Sequence, residues 1–232
     1  GGSKGLGPAL VDEYRRMGYE VTELSRSGYS RDSVEVDLAQ PEAAQQILDD
    51  EFERIAKGPC EHVLLFNNAG DVMPVGQVAD KAFGTVLGNV NVNFVGAIVL
   101  LRAFMLAFQA KDCPKAIVNI SSGAALSSVE GWSLYCASKA GIEHFIRTIA
   151  LEQSTNPFPI NAFNISPGLI DTGMQASIRS TTQTDFPRVT DFVGFKTDGA
   201  LRSPEIVARA VVAILASDPA PGSRHEVADY VP

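Results

Sequence analysis

Apolar positions along the chain follow two alternating rhythms. One is the three-to-four-residue spacing of an amphipathic helix, and the other is the short unbroken apolar run of a strand covered on both faces. The first predicts helices over 8–17, 41–56, 82–110, 134–153 and 203–217. Pro8 opens the first and Gly18 closes it, while Ser203 caps the last with Pro204 just inside. The second rhythm predicts strands over 19–26, 33–38, 62–66, 116–120, 160–165 and 226–231. Strands alternating with helices are β-α-β units, so the pattern predicts an α/β fold with a doubly wound parallel sheet. No repeat or linker divides residues 1–232, which predicts a single domain. Only 175–201 lacks a clear period. It is polar, contains Pro187, Gly194 and Gly199, and reads as a lid over a site.

Composition narrows the class. With 45% hydrophobic and 20% charged residues, the chain is not disordered. The longest unbroken apolar run, 94–101, ends at Arg102 and is too short to span a bilayer. The net charge of −8, with no basic block, argues against nucleic acid and anionic membrane as partners. Cys60, Cys113 and Cys136 are odd in number and widely spaced, with no metal-ligand cluster. They read as reduced thiols of a cytoplasmic protein that binds no metal.

Candidate chemistry begins at the first residue. Gly1-Gly2-Ser3-Lys4-Gly5-Leu6-Gly7 precedes a helix at once. Glycines at such a turn let the backbone approach a pyrophosphate, and the helix directs its positive end at that anion. A turn of this kind follows a strand, so a further strand is expected ahead of Gly1. The strand over 19–26 ends Leu24-Ser25-Arg26, with no acid at its tip. Arg26 and Lys4 favour the 2′-phosphate of NADP(H) unless Arg26 is only a solvated surface charge. Glu23, the nearest acid, keeps NAD open.

A second cluster follows the strand over 116–120, which delivers Ser121-Ser122 at its C-terminal end. Tyr135 and Lys139 are four residues apart and share a helix face. A nearby ammonium is expected to lower the tyrosine pKa from about 10 toward the working range of a proton donor. Ser122 is placed to hydrogen-bond a carbonyl or alcohol oxygen.

With these motifs in view, the chain resembles the short-chain dehydrogenase/reductase family. The resemblance rests on the glycine turn, Asn67-Asn68-Ala69-Gly70, Asn93, Ser122, Tyr135-Cys136-Ala137-Ser138-Lys139 and Pro167-Gly168-Leu169-Ile170-Asp171-Thr172. Within the family, 131–136, 171–175 and 222–230 are similar to sepiapterin and benzil reductases. The resemblance implies a Rossmann sheet of about seven strands. It implies NADP(H)-dependent reduction of a ketone or vicinal dicarbonyl, with Tyr135 as acid/base and Lys139 lowering its pKa. Ser122 would orient the carbonyl, and Asn93 would hold a water behind Lys139. Gly1, Ser3, Lys4, Gly5, Leu6, Arg26, Asp37, Leu38, Asn68, Ala69 and Gly70 would line the adenosine and phosphate side. Pro167, Gly168, Ile170 and Thr172, with Tyr135 and Lys139, would hold the nicotinamide end.

The same resemblance implies a homodimer or homotetramer through apolar faces of the helices near 82–110 and 134–153. Sepiapterin reductases anchor the pterin with a carboxylate near the C-terminus; Glu226 stands there, and a small gap would select Asp229 instead. Trp132 is either a substrate wall or a packing residue, and Met174 a substrate contact or a gap filler. Two alternatives stay open: an NAD-dependent alcohol dehydrogenase of the same fold, and an NADPH-sensing protein without turnover.

Overall fold

A computed structural model describes residues 1–30 and 33–231. The elements alternate as the periodicity predicts. Helix α1 (Leu6–Arg16) follows the glycine turn. Strands β1 (Leu24–Ser25) and β2 (Val34–Glu35) are short, and α2 (Pro41–Ala56) leads to β3 (Val63–Asn67). Helix α3 (Phe83–Val90) passes through a π-helical turn, Asn91–Val95, into α4 (Gly96–Phe108). Next come β4 (Lys115–Ile120), α5 (Ser133–Gln153) and β5 (Asn161–Ser166). Helices α6 (Gly173–Arg179), α7 (Val189–Thr197) and α8 (Pro204–Ala216) precede β6 (Arg224–Glu226).

All strand pairs are parallel, in two pieces: β1-β2 and β3-β4-β5-β6. The central strands show why both faces must be covered. Every residue of β4 is buried. Ile117 packs with α2, α4 and α5 through Leu48, Phe104 and Ile146. Its neighbours Ala116, Val118 and Ile120 pack on the other face with Leu10, Val211 and Ile214 of α1 and α8. Side chains that alternate across a pleat thereby feed two helix layers from one strand.

Several sequence expectations are corrected. The number of strands is not among them: six are present among the described residues, as the periodicity predicts, the seventh having been expected ahead of Gly1. The strands over 19–26 and 33–38 shorten to two residues each, because only those residues find ladder partners. The strand over 226–231 is instead β6 followed by a 3₁₀ turn, Val227–Tyr230. The aperiodic 175–201 region is largely helical, in α6 and α7. Phe83–Phe108 contains a window of mean hydropathy 1.9, long and apolar enough by composition to cross a bilayer, unlike the short run weighed earlier. Here Leu100, Leu101, Phe104 and Phe108 of that helix are buried in the core.

Finally, Cys60 and Cys113 form a disulfide and only Cys136 is free, so the reading of three thiols fails. The cause is tertiary. Val63 pairs with Lys115 in register, which brings the segments just before β3 and β4 side by side across 53 residues of sequence.

Candidate active site

The C-terminal ends of the strands converge on one edge, where open α/β sheets bind ligands. Strand β4 ends at Ser122, whose Oγ accepts from the Ala124 amide at 3.2 Å and caps a short 3₁₀ turn. Helix α5 packs beside it and presents Tyr135 and Lys139, both 7% exposed. Lys139 Nζ donates to the Ile120 carbonyl at 2.8 Å and lies 5.7 Å from the Tyr135 ring centre. Ser122 is close enough to Tyr135 to favour its ionised form.

Asn93 enters from the π-helical turn. Such turns shift the register of a helix by one residue and can aim a side chain where a regular helix would not. Its Oδ1 accepts from the Asp71 amide at 2.8 Å and its Nδ2 donates to the Asp71 carbonyl at 2.7 Å. Gly70 lies between: a Cβ there would stand 3.4 Å from Asn93 Oδ1 and 3.6 Å from Lys139 Nζ. Ser122, Tyr135, Lys139 and Asn93 are therefore brought together from three separate elements. The side chain of Asn93 serves to pin the loop after Gly70.

The electrostatics correct one expectation. The Tyr135 phenol is not lowered: burial pushes it up to about 12, and the nearby Ser122 offsets only part of that. Lys139 is itself buried, which pushes it down to about 8. An ammonium destabilised by its own burial and turned toward the Ile120 carbonyl gives the phenolate little support.

The expected cofactor residues line the adjoining turn. Gly5 is at φ +61° and caps α1 without a side chain, and no acid stands in the first turn of α1. A Cβ on Gly1 would come within 2.5 Å of the Ala69 amide, and one on Gly7 within 2.3 Å of the Gly1 carbonyl oxygen. Only glycine fits this cradle, and the positive end of α1, with no side-chain cap, faces it. Asn68 Nδ2 donates to the Gly1 carbonyl at 2.7 Å, and Gly5 faces Thr172. Thr172 caps α6, Pro167 is buried, Gly168 is at φ +73°, and Ile170 bridges to Arg202.

Leu6 and Leu38 are buried in the apolar clusters, leaving only their backbones to face a ligand. Asp37 accepts from the Ala39 amide, and Ser3 meets Ser27. Arg26 and Lys4 are exposed. Glu23 is 2% exposed, under Gly2, and accepts from the Tyr29 amide. The donor set and the cradle fit a dinucleotide.

On the substrate side, Trp132 stacks on Phe186 at 5.0 Å and meets Phe192 and Tyr135 edge-on. It is thus both a packing residue and a neighbour of the phenol. Met174 packs against the same cluster. Glu226 does not point free: its Oε1 accepts from Arg224 Nε at 2.9 Å, while Asp229 is exposed in the following turn.

Two polar groupings behind the site escaped the sequence reading. Asn67, Asn119 and Asn164 stand in register on β3, β4 and β5 and hydrogen-bond in a buried row at 2.9 and 2.7 Å. Buried Glu143 and part-buried Arg224 form an ion pair behind Ser122. The signal available for Glu143 was its place one turn beyond Lys139 on the buried face of α5; Arg224 had none.

Residues 1–183 match the family model for short chain dehydrogenase. A benzil reductase ((S)-benzoin forming) of Bacillus subtilis is 33% identical over 100% of this chain and 97% of its own length. A sepiapterin reductase of Rattus norvegicus is 31% identical over 63% of this chain and 55% of its own. A short chain dehydrogenase/reductase structure from Saccharomyces cerevisiae superposes with TM-score 0.83 at 22% identity, covering 100% of this chain and 97% of that one.

Proposed function

Since the chain belongs to the short chain dehydrogenase family, we propose that it is an NADPH-dependent carbonyl reductase acting on vicinal dicarbonyls of the benzil type. The observation that carries this reading is the meeting of Ser122, Tyr135 and Lys139 beside a glycine cradle at one sheet edge. The relatives named above, reductases of benzil and sepiapterin, support the substrate class.

When bound, NADPH supplies a hydride to the carbonyl carbon. Ser122 Oγ orients the carbonyl oxygen. As negative charge develops on that oxygen, Tyr135 donates its phenolic proton to it, completing the alcohol. A phenol held near 12 is fully protonated at neutral pH, so the proton donor is loaded for reduction. Lys139, held by the Ile120 carbonyl beside Tyr135, stands where it would bind the nicotinamide ribose. Asn93 holds the loop 68–71 in place.

Arg26, exposed at the end of β1, would receive the 2′-phosphate of NADPH as a charge-assisted pair. Glu23 is buried and already bonded, which speaks against its reading a free ribose and so against the NAD-dependent alternative. We take the whole chain as one catalytic domain working in the cytoplasm as a homodimer. Exposed Leu106 on α4 and Leu151 on α5 supply apolar surface for that contact.

The test is NADPH oxidation, followed by nicotinamide absorbance, with benzil, sepiapterin and a simple aldehyde, and NADH run in parallel. Turnover of a dicarbonyl with NADPH, lost in Tyr135→Phe, supports the reading. No turnover of any carbonyl despite NADPH binding overturns it.

A further inference from the structure

A serine at a strand end can meet a substrate oxygen only if its backbone is fixed relative to the helix that carries the proton donor. In this protein the fixing contacts come from the last strand. Arg224, on β6, donates from Nη2 to the Ser122 carbonyl oxygen and from Nη1 to Ser121 Oγ, both at 3.3 Å. The same Nη1 pairs with Glu143, which projects from α5 and is 1% exposed. Glu143 Oε2 also accepts from Ser121 Oγ at 2.6 Å. Glu226 takes the remaining Nε donor of Arg224 at 2.9 Å. One guanidinium therefore joins the end of β4, the middle of α5 and strand β6.

The energetics say what this arrangement is for. This ion pair gives up the solvation of Glu143 and most of that of Arg224, and an apolar pair of similar volume would stabilise a core at least as well. What an apolar pair cannot supply is direction. A planar guanidinium with several directed donors fixes the relative position of the groups that accept from it. Tyr135, Lys139 and Glu143 lie at i, i+4 and i+8 on one face of α5. The contact that holds Glu143 thus sets the rotation and height of the face that presents the phenol.

We infer that Arg224 and Glu143 are positioning residues for catalysis, locking Ser122 in register with Tyr135 and Lys139. This rests on the carbonyl-reductase reading above and adds to it two residues that touch neither substrate nor cofactor.

The experiment compares Arg224→Met, Arg224→Lys and Glu143→Gln with wild type, using NADPH and the dicarbonyl that turns over. A misplacement of the reacting groups by a fraction of an ångström predicts that Arg224→Met lowers kcat about 30-fold. The KM for NADPH stays within about twofold, because the cradle at Gly1–Gly7 is untouched. Arg224→Lys restores part of the loss, since one charged donor is kept. Arg147, whose Nη2 is 3.8 Å from Glu143 Oε1, keeps that carboxylate from being stranded in the methionine variant.

A folded Arg224→Met with wild-type kcat overturns the inference. So does a loss in kcat that only tracks the unfolded fraction, or a lysine variant no better than methionine. Should Arg224→Met not fold, Glu143→Gln decides: reduced kcat at an unchanged melting temperature supports the inference, and unchanged kcat overturns it. If wild type reduces no carbonyl, the functional reading has failed on its own. Crystal structures of wild type and Arg224→Lys then decide the inference, since a displaced Ser122 Oγ supports it and an unmoved one overturns it.

Discussion

The edge that carries Ser122, Tyr135 and Lys139 and the helices that roof it are held by different forces. The edge is polar and buried. Asparagines 67, 119 and 164 bond across three strands, and Glu143 and Arg224 brace Ser121 and Ser122 from behind. The roof over 173–201 is aromatic. Phe186 and Phe192 stack on and against Trp132, and Phe195 continues the row. Its polar ties lie mostly at the surface: Lys196 pairs with Asp171 and Lys81 with a half-exposed Asp185, while Gln175 reaches the Phe192 carbonyl inside it.

Hydrogen bonds are directional and fix atoms to a few tenths of an ångström, whereas apolar packing is non-directional and tolerates exchange of one shape for another. The comparison teaches that chemistry and substrate fit are separable here. On the proposed function, the edge would determine whether a proton moves and the roof what is held under it.

The sharpest way to break this division is Tyr135→Phe. Removing the proton donor without changing the packing lowers kcat about 10³-fold and leaves the thermal midpoint nearly unchanged. Steady-state rates and a melting curve check both halves, and a large drop in the midpoint would show that the edge is structural after all.

The converse is Phe186→Ala in the roof. Phe186 is 0% exposed. Its removal destabilises the protein by about 3–5 kcal/mol, read by urea unfolding. The KM for the dicarbonyl rises more than kcat falls. An equal loss in kcat would join roof to chemistry and end the separation.

A third test uses pH. Lys139 titrates near 8 when folded and near 10.5 when unfolded. Between those values the unfolded chain holds more protons, so stability rises with pH across that window. The rise is on the order of 3 kcal/mol. Urea midpoints of wild type against Lys139→Met check it: the variant loses the slope, and an identical slope in both would assign it elsewhere.

The smallest effect lies furthest from both regions. Arg26→Ala raises the KM for NADPH about tenfold and leaves that for NADH unchanged. Parallel titrations with the two nucleotides read it, and equal losses would remove Arg26 from phosphate recognition.

Much of the site was legible because its spacing is local. Tyr135 and Lys139 share a face at any four-residue helical separation, and Gly5 and Gly7 announce a turn that only glycine can make. The roof was not legible. Its segments are short and take their helical form from packing against Trp132, which no window of 175–201 contains. The π-helical turn at Asn93 was hidden for a similar reason, since its apolar rhythm reads as one long helix.

The sequence by itself determined the order of strands and helices, the parallel sheet, the glycine cradle and the Ser122–Tyr135–Lys139 set. Each depends on periodicity or on spacing within one or two elements. Only the tertiary structure decided which groups meet across the sheet. Register joined Cys60 to Cys113, aligned the three asparagines and brought Arg224 behind Ser122 from more than a hundred residues away. It also decided the proton affinity of the phenol. The sequence placed a cation beside Tyr135, but burial, which no spacing reveals, pushed the phenol up to about 12.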